Sequence, residues 1–173
     1  PDVTFRDHHT FRQGNLTFEM HHALGETDDA TWTFIPETKL LHPGDLFIWA
    51  VPNAGNPQKV QRWPIEWAAA LRRMIGQEPE LLLPAHGLPI EGKARIARVL
   101  DEIATALEDL VREVLQMMNA GETLDTIIHA VKVPDATLGR PYLRPMASRA
   151  RANGRFLLQP RFQPRMRHRG ART

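Results

Sequence analysis

Apolar residues recur at two different spacings along this chain, and the change of spacing divides it into two regions. From residue 16 to residue 51 they form short runs rich in aromatic and branched side chains, separated by Gly or Pro, which is typical of strands. From Lys93 to Asn119 they recur every three or four residues, which predicts one long helix. We therefore expect an α/β protein whose sheet comes first and whose helical part follows.

The first region predicts a sheet edge and a hairpin. Val3–Phe5 and Leu16–Met20 read as short strands, with a turn over residues 12–15 before the second. Ala30–Leu41 predicts a β-hairpin that turns over residues 36–39, where Pro36 takes the second turn position. Because a hairpin returns the chain to the end of the sheet where it began, the residues before and after it are expected to be neighbours.

A helix and a buried strand are predicted next. Pro64–Ile75 carries Trp67, Leu71 and Met74 at helical spacing, and Gly76 is the expected stop. These apolar residues are interpreted as core. Residues 81–83 are three consecutive leucines, which predict a fully buried strand.

The second region is dominated by the helix Lys93–Asn119. Its apolar stripe consists of Ile96, Val99, Leu100, Ile103, Leu107, Leu110, Val111, Val114, Leu115 and Met118. Thr123 is expected to cap a second helix, Leu124–Val131, which Pro134 prevents from continuing. A stripe this long exceeds what half of a fold can cover, so we predict a homodimer through the helices of residues 93–131.

Three segments place a metal-competent side chain where an apolar run ends at Gly or Pro. They are Gly25-Glu26-Thr27, Pro43-Gly44-Asp45 and Pro84-Ala85-His86-Gly87. Carboxylate and imidazole donors of this kind suit Zn²⁺, Fe or Mn in hydrolytic sites. Each also has an ordinary interpretation as a turn or capping residue, and it is their combination, with the hairpin bringing Glu26 and Asp45 together, that favours a metal site.

These three segments, together with residues 28–29 and the leucines before His86, resemble the C-terminal half of a metallo-β-lactamase-fold hydrolase of the alkyl sulfatase type. The resemblance implies a partial αββα sandwich over residues 1–92. It also implies a helical, dimerisation-like region over residues 93–145.

The resemblance further implies roles for individual residues. Glu26 would supply a metal ligand where other relatives use histidine, Asp45 would bridge two Zn²⁺ ions, and His86 would bind the second ion. Asn53 would contact a small-molecule ester substrate. Asp28 and Asp29 would orient the ligands through hydrogen bonds, or cap the following turn.

The sequence also departs from this family. The His-x-His-x-Asp-His motif that supplies four ligands is not among the 173 residues, and Gln58 stands where a sulfate-binding arginine is expected. The His8-His9 and His21-His22 pairs do not replace that motif, because neighbouring strand residues point to opposite faces. Two functions therefore stay open. One is a metal-dependent hydrolase that is incomplete in this chain, and the other is a non-catalytic homologue acting as a helical self-association module.

Charge and composition narrow the classes of partner. The chain has no cysteine, which excludes disulfides and thiolate metal sites, and no apolar run long enough for a membrane span. Its first residues show no signal-peptide pattern, so we expect a cytoplasmic protein. Residues 146–173 contain eight arginines and no acidic residue, so the first 145 residues carry a net charge of −6 within a total of +2. We expect this tail to be disordered without a function of its own, in preference to nucleic-acid binding.

Overall fold

The computed structural model describes residues 2–54 and 62–144. Two sequence-based interpretations fall outside this part of the chain. They are the comparison of Gln58 with a sulfate-binding arginine and the expectation that residues 146–173 are disordered.

A mixed sheet of six strands forms the framework, in the order of the sequence. The strands are β1 (His8–Gln13), β2 (Leu16–Ala23), β3 (Ala30–Ile35), β4 (Leu40–His42), β5 (Leu81–Leu82) and β6 (Ile90–Glu91). All neighbours are antiparallel except β4 and β5, which are parallel. Because parallel strands need a crossover, the chain between them passes through a helix, α1 (Pro64–Gly76).

The predicted hairpin is confirmed, whereas the first predicted strand is wrong. β3 and β4 pair with Phe34 opposite Leu41, and a short 3-10 helix, Pro36–Thr38, joins them. The first strand covers residues 8–13 instead of Val3–Phe5, and it meets β2 through a two-residue turn at Gly14 and Asn15. Gly14 has φ +61°, which suits such a tight hairpin.

Helices cover one face of the sheet. α1 and α2 (Lys93–Asn119) pack against each other and against alternate residues of the central strands. The shared core includes Trp32, Phe34, Leu41, Leu82, Trp67, Leu71, Met74, Ile96, Leu100 and Ile103. The predicted helices are confirmed, α1 extending one residue further to include Gly76. The leucine strand is shorter than expected, and of its three leucines only Leu82 is fully buried.

The apolar stripe of α2 is covered more completely than expected. The helix packs in the same core as residues of two later segments, α3 (Leu124–Ala130) with the residue after it and the turn that follows α4 (Asp135–Leu138); these residues are Ile127, Val131, Tyr142 and Leu143. The hydroxyl of Tyr142 also donates a hydrogen bond to Glu102 on α2, at 2.5 Å. The chain therefore buries most of this stripe itself and leaves Leu115 40% exposed. The homodimer stays a prediction. A long uncovered stripe on α2 no longer supports it, because the chain itself buries most of that stripe.

The observed fold is α/β, as predicted: one sheet with helices on one face, corresponding to part of an αββα sandwich. The predicted boundary between residues 92 and 93 falls between β6 and α2, and the two-region division stays a prediction. Within the described ranges, no helix is long and apolar enough to cross a lipid bilayer.

Candidate functional site

Asp45 and His86 meet at one edge of the sheet. β4 and β5 are parallel, with Leu40 opposite Leu81, so their carboxyl ends lie side by side. Asp45 follows β4 and His86 follows β5. As a result, Oδ1 of Asp45 lies 3.3 Å from Nε2 of His86.

The backbone holds these two residues in place. Asp45 lies in a 3-10 turn, Gly44–Leu46, and Gly44 has φ +57° with no room for a Cβ, which would lie 2.7 Å from the carbonyl oxygen of Thr31. Ile48 then forms a parallel bridge with His86. The Asp45 and His86 side chains are 60% and 72% exposed, so both are open to solvent and to a ligand.

Trp49 fixes the loop after His86. Its indole Nε1 donates a hydrogen bond to the Leu88 carbonyl at 2.8 Å. The ring occupies the space beside Gly87, where a Cβ would lie 2.0 Å from Cδ1 of Trp49. Gly87 also has φ +103°, a conformation that favours glycine. The indole and the glycine together set the path of the chain next to His86.

The Glu26 segment packs against the Asp45 turn, as the hairpin predicted. Gly25 is buried against Leu46, whose Cδ2 atom would lie 2.4 Å from an added Cβ. The carboxylate of Glu26 does not bind Asp45 or His86. It forms an ion pair with Arg62, whose Nη2 lies 2.8 Å from Oε1, while Nη1 of Arg62 donates to the Glu26 main-chain carbonyl.

The amino end of α1 links the segments that carry Glu26 and Asp45. The main-chain N–H of Trp63 donates to the Gly25 carbonyl at 3.1 Å. Four residues later, Nε1 of the buried Trp67 donates to the Leu46 carbonyl at 2.8 Å. The segments that carry Glu26 and Asp45 are therefore held by the same helix end.

Within residues 2–54 and 62–144, no group of three or more His, Asp or Glu side chains is gathered closely enough to hold a metal ion. Asp45 and His86 supply a carboxylate oxygen and an imidazole nitrogen, which suit Zn²⁺ in type. Glu26 lies on the adjoining segment with one oxygen bound to Arg62. Asp45 and His86 therefore fit a metal centre in the type of their donor atoms, but as a pair they are fewer than the three protein ligands that catalytic zinc commonly has.

The other predicted site residues lie nearby in sequence, and none of their side chains forms a hydrogen bond or ion pair with the three predicted ligands. Asn53 is half-buried in the irregular segment that follows Val51. The main-chain N–H of Val51 donates to the Arg144 carbonyl at 3.1 Å. Asp28 and Asp29 have exposed side chains, and the carbonyl of Asp28 accepts a hydrogen bond from Nε2 of His22 at 2.8 Å. The roles proposed for their side chains stay predictions.

Arg62 is the residue that sequence reasoning missed. It is 6% exposed and lies 36 positions from Glu26 in the chain. It precedes the Trp63-Pro64 helix start, yet nothing in its spacing links it to Glu26. Only the packing of α1 onto the Gly25 segment brings the two residues together.

Comparisons with known proteins agree with this architecture. No family model matches the chain. The linear primary-alkylsulfatase of Pseudomonas sp. (strain ATCC 19151) is 26% identical over 147 residues, which are 83% of this chain and 28% of that protein. Among solved structures, the stereoselective inverting sec-alkylsulfatase Pisa1 from Pseudomonas sp. superposes with a TM-score of 0.77 at 21% identity, over 94% of this chain and 27% of that one.

A double mutant of the same sec-alkyl sulfatase gives a TM-score of 0.76 at 23% identity, over 88% of this chain and 25% of that one. At these identities the structural likeness shows a shared fold. The match to the primary alkylsulfatase adds a similarity in sequence. The chain spans about a quarter of the length of the relatives that it matches. The chain is similar in sequence to the primary alkylsulfatase and in fold to the sec-alkyl sulfatase, and it matches one part of each.

Proposed function

We propose that this chain carries part of the metal centre of a hydrolase that cleaves sulfate esters. The observation that carries the proposal is the approach of Asp45 to His86, with 3.3 Å between Oδ1 and Nε2 at the edge where β4 and β5 end. The Glu26 segment packs directly against the Asp45 turn. Two exposed donors of different kinds, fixed by the backbone, are the kind of arrangement from which a metal site is built.

In this proposal Asp45, His86 and Glu26 would hold the metal, and Asp45 would be shared between two Zn²⁺ ions if both were bound. Zinc in such a centre lowers the pKa of a bound water and polarises the ester. The part of this chain is to hold the donors. The Ile48–His86 bridge and the turn at Gly44 orient His86 and Asp45, and Trp49 fixes the loop beyond His86.

The proposed substrate class follows from the relatives, which are named for alkyl sulfates. A sulfate monoester carries one negative charge on its sulfate oxygens. We therefore expect its site to contain a hydrogen-bond donor to these oxygens as well as metal ions. Asn53, half-buried after Val51, is the proposed contact with this group. An aliphatic sulfate ester is therefore the first substrate to test.

The donors in the described part of the chain are too few to complete two coordination spheres. We propose that further donors come from outside these residues, in the way that the upstream histidine motif supplies them in the family. The chain alone is then expected to bind metal more readily than it turns over substrate.

The second candidate function is a non-catalytic self-association module. It is favoured by the small number of donors and by Leu115 and Leu124, which are 40% and 53% exposed on the two helices of the predicted dimer surface. Sedimentation velocity of the purified chain distinguishes a dimer from a monomer.

The test of the metal proposal compares two pairs of side chains of the same chemistry. One variant carries Asp45→Asn and His86→Gln. The control carries Asp125→Asn and His129→Gln, which alter an exposed Asp–His pair on α3 with 3.5 Å between Oδ1 and Nε2. Zinc, iron and manganese are measured by elemental analysis after purification and after reloading.

Metal bound in proportion to protein, retained in the control and lost from the first variant, supports the proposal. Assays with an alkyl sulfate and an alkyl phosphate then define the ester class. Equal metal content in the unaltered chain and both variants would rule out a metal centre at Asp45 and His86.

A further inference from the structure

Arg62 and Glu26 form an unusual pair, because one guanidinium binds both the side chain and the main chain of the same residue. Nη2 lies 2.8 Å from Oε1 of Glu26, and Nη1 donates to the Glu26 carbonyl. A planar guanidinium presents its donors in a fixed fork, so two contacts to one residue restrict both the χ angles and the backbone of that residue. Glu26 is therefore held in one orientation.

The two partners differ in their exposure. The side chain of Arg62 is 4% exposed and that of Glu26 is 31% exposed. The guanidinium thus lies beneath the carboxylate, on the protein side, while part of the carboxylate reaches the surface. The ion pair engages Oε1, and a carboxylate has a second oxygen with which it can bind a cation.

The surroundings of Arg62 connect this pair to the rest of the site. The next residue, Trp63, donates to the Gly25 carbonyl, and Trp67 donates to the Leu46 carbonyl beside Asp45. Arg62 thus lies at the helix end that holds both ligand-bearing segments. Any displacement of Arg62 is passed to Glu26 directly.

We propose that Arg62 is a positioning residue that holds the carboxylate of Glu26 in the orientation required for metal binding. This inference rests on the proposed function, since it assigns Glu26 to the metal centre. A partner that fixes a ligand's orientation typically changes metal affinity by about 10–100-fold when it is removed.

The competing explanation is that Glu26 serves only as the counter-ion of a buried arginine. In that case removal of Arg62 lowers the stability of the fold and leaves metal affinity unchanged. The two explanations are distinguished by the affinity of the folded protein for the metal ion. A purely structural role of Arg62 leaves this affinity unchanged, and a positioning role does not.

The experiment is titration of the full chain with Zn²⁺ and with Co²⁺, whose visible absorption reports the geometry of its ligands. The variants are Arg62→Gln, Arg62→Lys, Glu26→Gln, Asp45→Asn and the double variant Arg62→Gln with Glu26→Gln. The control is Arg72→Gln, because Arg72 also pairs with carboxylates, bridging α1 to Asp101 and Glu108 on α2. Circular dichroism confirms that each titrated sample is folded.

We expect Arg62→Gln and Glu26→Gln each to weaken Co²⁺ and Zn²⁺ binding by about 10–100-fold, with a changed Co²⁺ spectrum. The double variant should be no weaker than Glu26→Gln alone, since Arg62 acts through Glu26. Arg62→Lys should recover part of the affinity, because lysine can bind one oxygen but cannot bind the side chain and the carbonyl in the same fork. Arg72→Gln should leave the affinity unchanged.

The outcomes separate this inference from the function on which it rests. Unchanged affinity in Arg62→Gln, together with a loss in Glu26→Gln and in Asp45→Asn, overturns the role of Arg62 and leaves the metal centre standing. Affinity that is unchanged in Asp45→Asn as well overturns both. If Arg62→Gln does not fold, the comparison of Arg62→Lys with the unaltered chain decides: equal affinities and equal Co²⁺ spectra refute the positioning role.

Discussion

Replacement of Gly87 by alanine tests how the loop beside His86 is built. Gly87 has φ +103°, and an added Cβ would lie 2.0 Å from Cδ1 and 2.8 Å from Nε1 of Trp49. The indole cannot easily move aside, because its Nε1 donates to the Leu88 carbonyl and its ring packs edge-to-face with the ring of the buried Phe47, with 5.9 Å between ring centroids. The substitution therefore imposes backbone strain and a steric clash at once.

The magnitude has two parts. A non-glycine residue at this φ costs about 1–3 kcal/mol. Insertion of a methyl group into a packed contact costs typically about 1–3 kcal/mol more. We expect Gly87→Ala to lower the free energy of unfolding by about 2–6 kcal/mol, a large share of the roughly 5–15 kcal/mol that a domain of ordinary stability has.

The matched control is Gly92→Ala. Gly92 has a similar φ of +96°, but no atom lies within 4 Å of an added Cβ. The control should therefore show the strain of about 1–3 kcal/mol without the clash. The assay is urea or thermal unfolding followed by circular dichroism, in which each kcal/mol corresponds to about 2–4 °C in Tm for a chain of this size.

A second variant separates the two parts within the same loop. Trp49→Leu combined with Gly87→Ala removes the ring that the methyl group would meet. Relative to Trp49→Leu alone, the added alanine should then cost only the backbone strain. Equal losses in Gly87→Ala and Gly92→Ala, or no relief in the double variant, would refute the conclusion that the indole fixes this loop.

Two further predictions concern the core and the dependence of stability on pH. Leu71→Ala should lower the free energy of unfolding by about 2–5 kcal/mol, because Leu71 is fully buried on α1. Ile65 lies on the same helix and is 46% exposed, so Ile65→Ala should lower it far less. Comparable losses in the two variants would contradict the orientation of α1. The pKa of His21 lies below its usual 6.5 because of burial, and also because of the neighbouring charges of His8 and Arg73. The unfolded chain therefore binds a proton at His21 more readily than the folded chain does. The contribution of neutral His21 to the free energy of unfolding should be fully present above about pH 6.5 and be lost as the pH falls toward the lowered pKa. His21→Phe should reduce the dependence of the free energy of unfolding on pH in this range, and an unchanged dependence would exclude His21 as its source.

The elements with the strongest local patterns were predicted with the best bounds. The helix Lys93–Asn119 has the predicted limits, since its apolar periodicity continues through many turns and stops at a change of composition near Gly121. The cap at Thr123 is also present, its hydroxyl accepting from the Thr126 N–H at 3.2 Å. The first strand was misplaced by several residues, because an exposed edge strand has a weak apolar alternation.

The candidate site was predicted only in part, for a related reason. Glu26, Asp45 and His86 were selected because each ends an apolar run. The parallel pairing of β4 with β5 then joined Asp45 to His86. The partner of Glu26 was not predicted, because its contact with Arg62 depends on where the amino end of α1 packs.

The sequence by itself determined the α/β class, the hairpin, the helices α1 and α2 and the residue types of the proposed metal centre, because these depend on local periodicity, turn chemistry and side-chain identity. Only the tertiary structure decided which strands are neighbours, that α3 and the segment around Tyr142 cover the stripe of α2, and that Arg62 lies beneath Glu26. These features join residues that are far apart in the chain. Their energies depend on burial and on geometry in three dimensions, which no local pattern records.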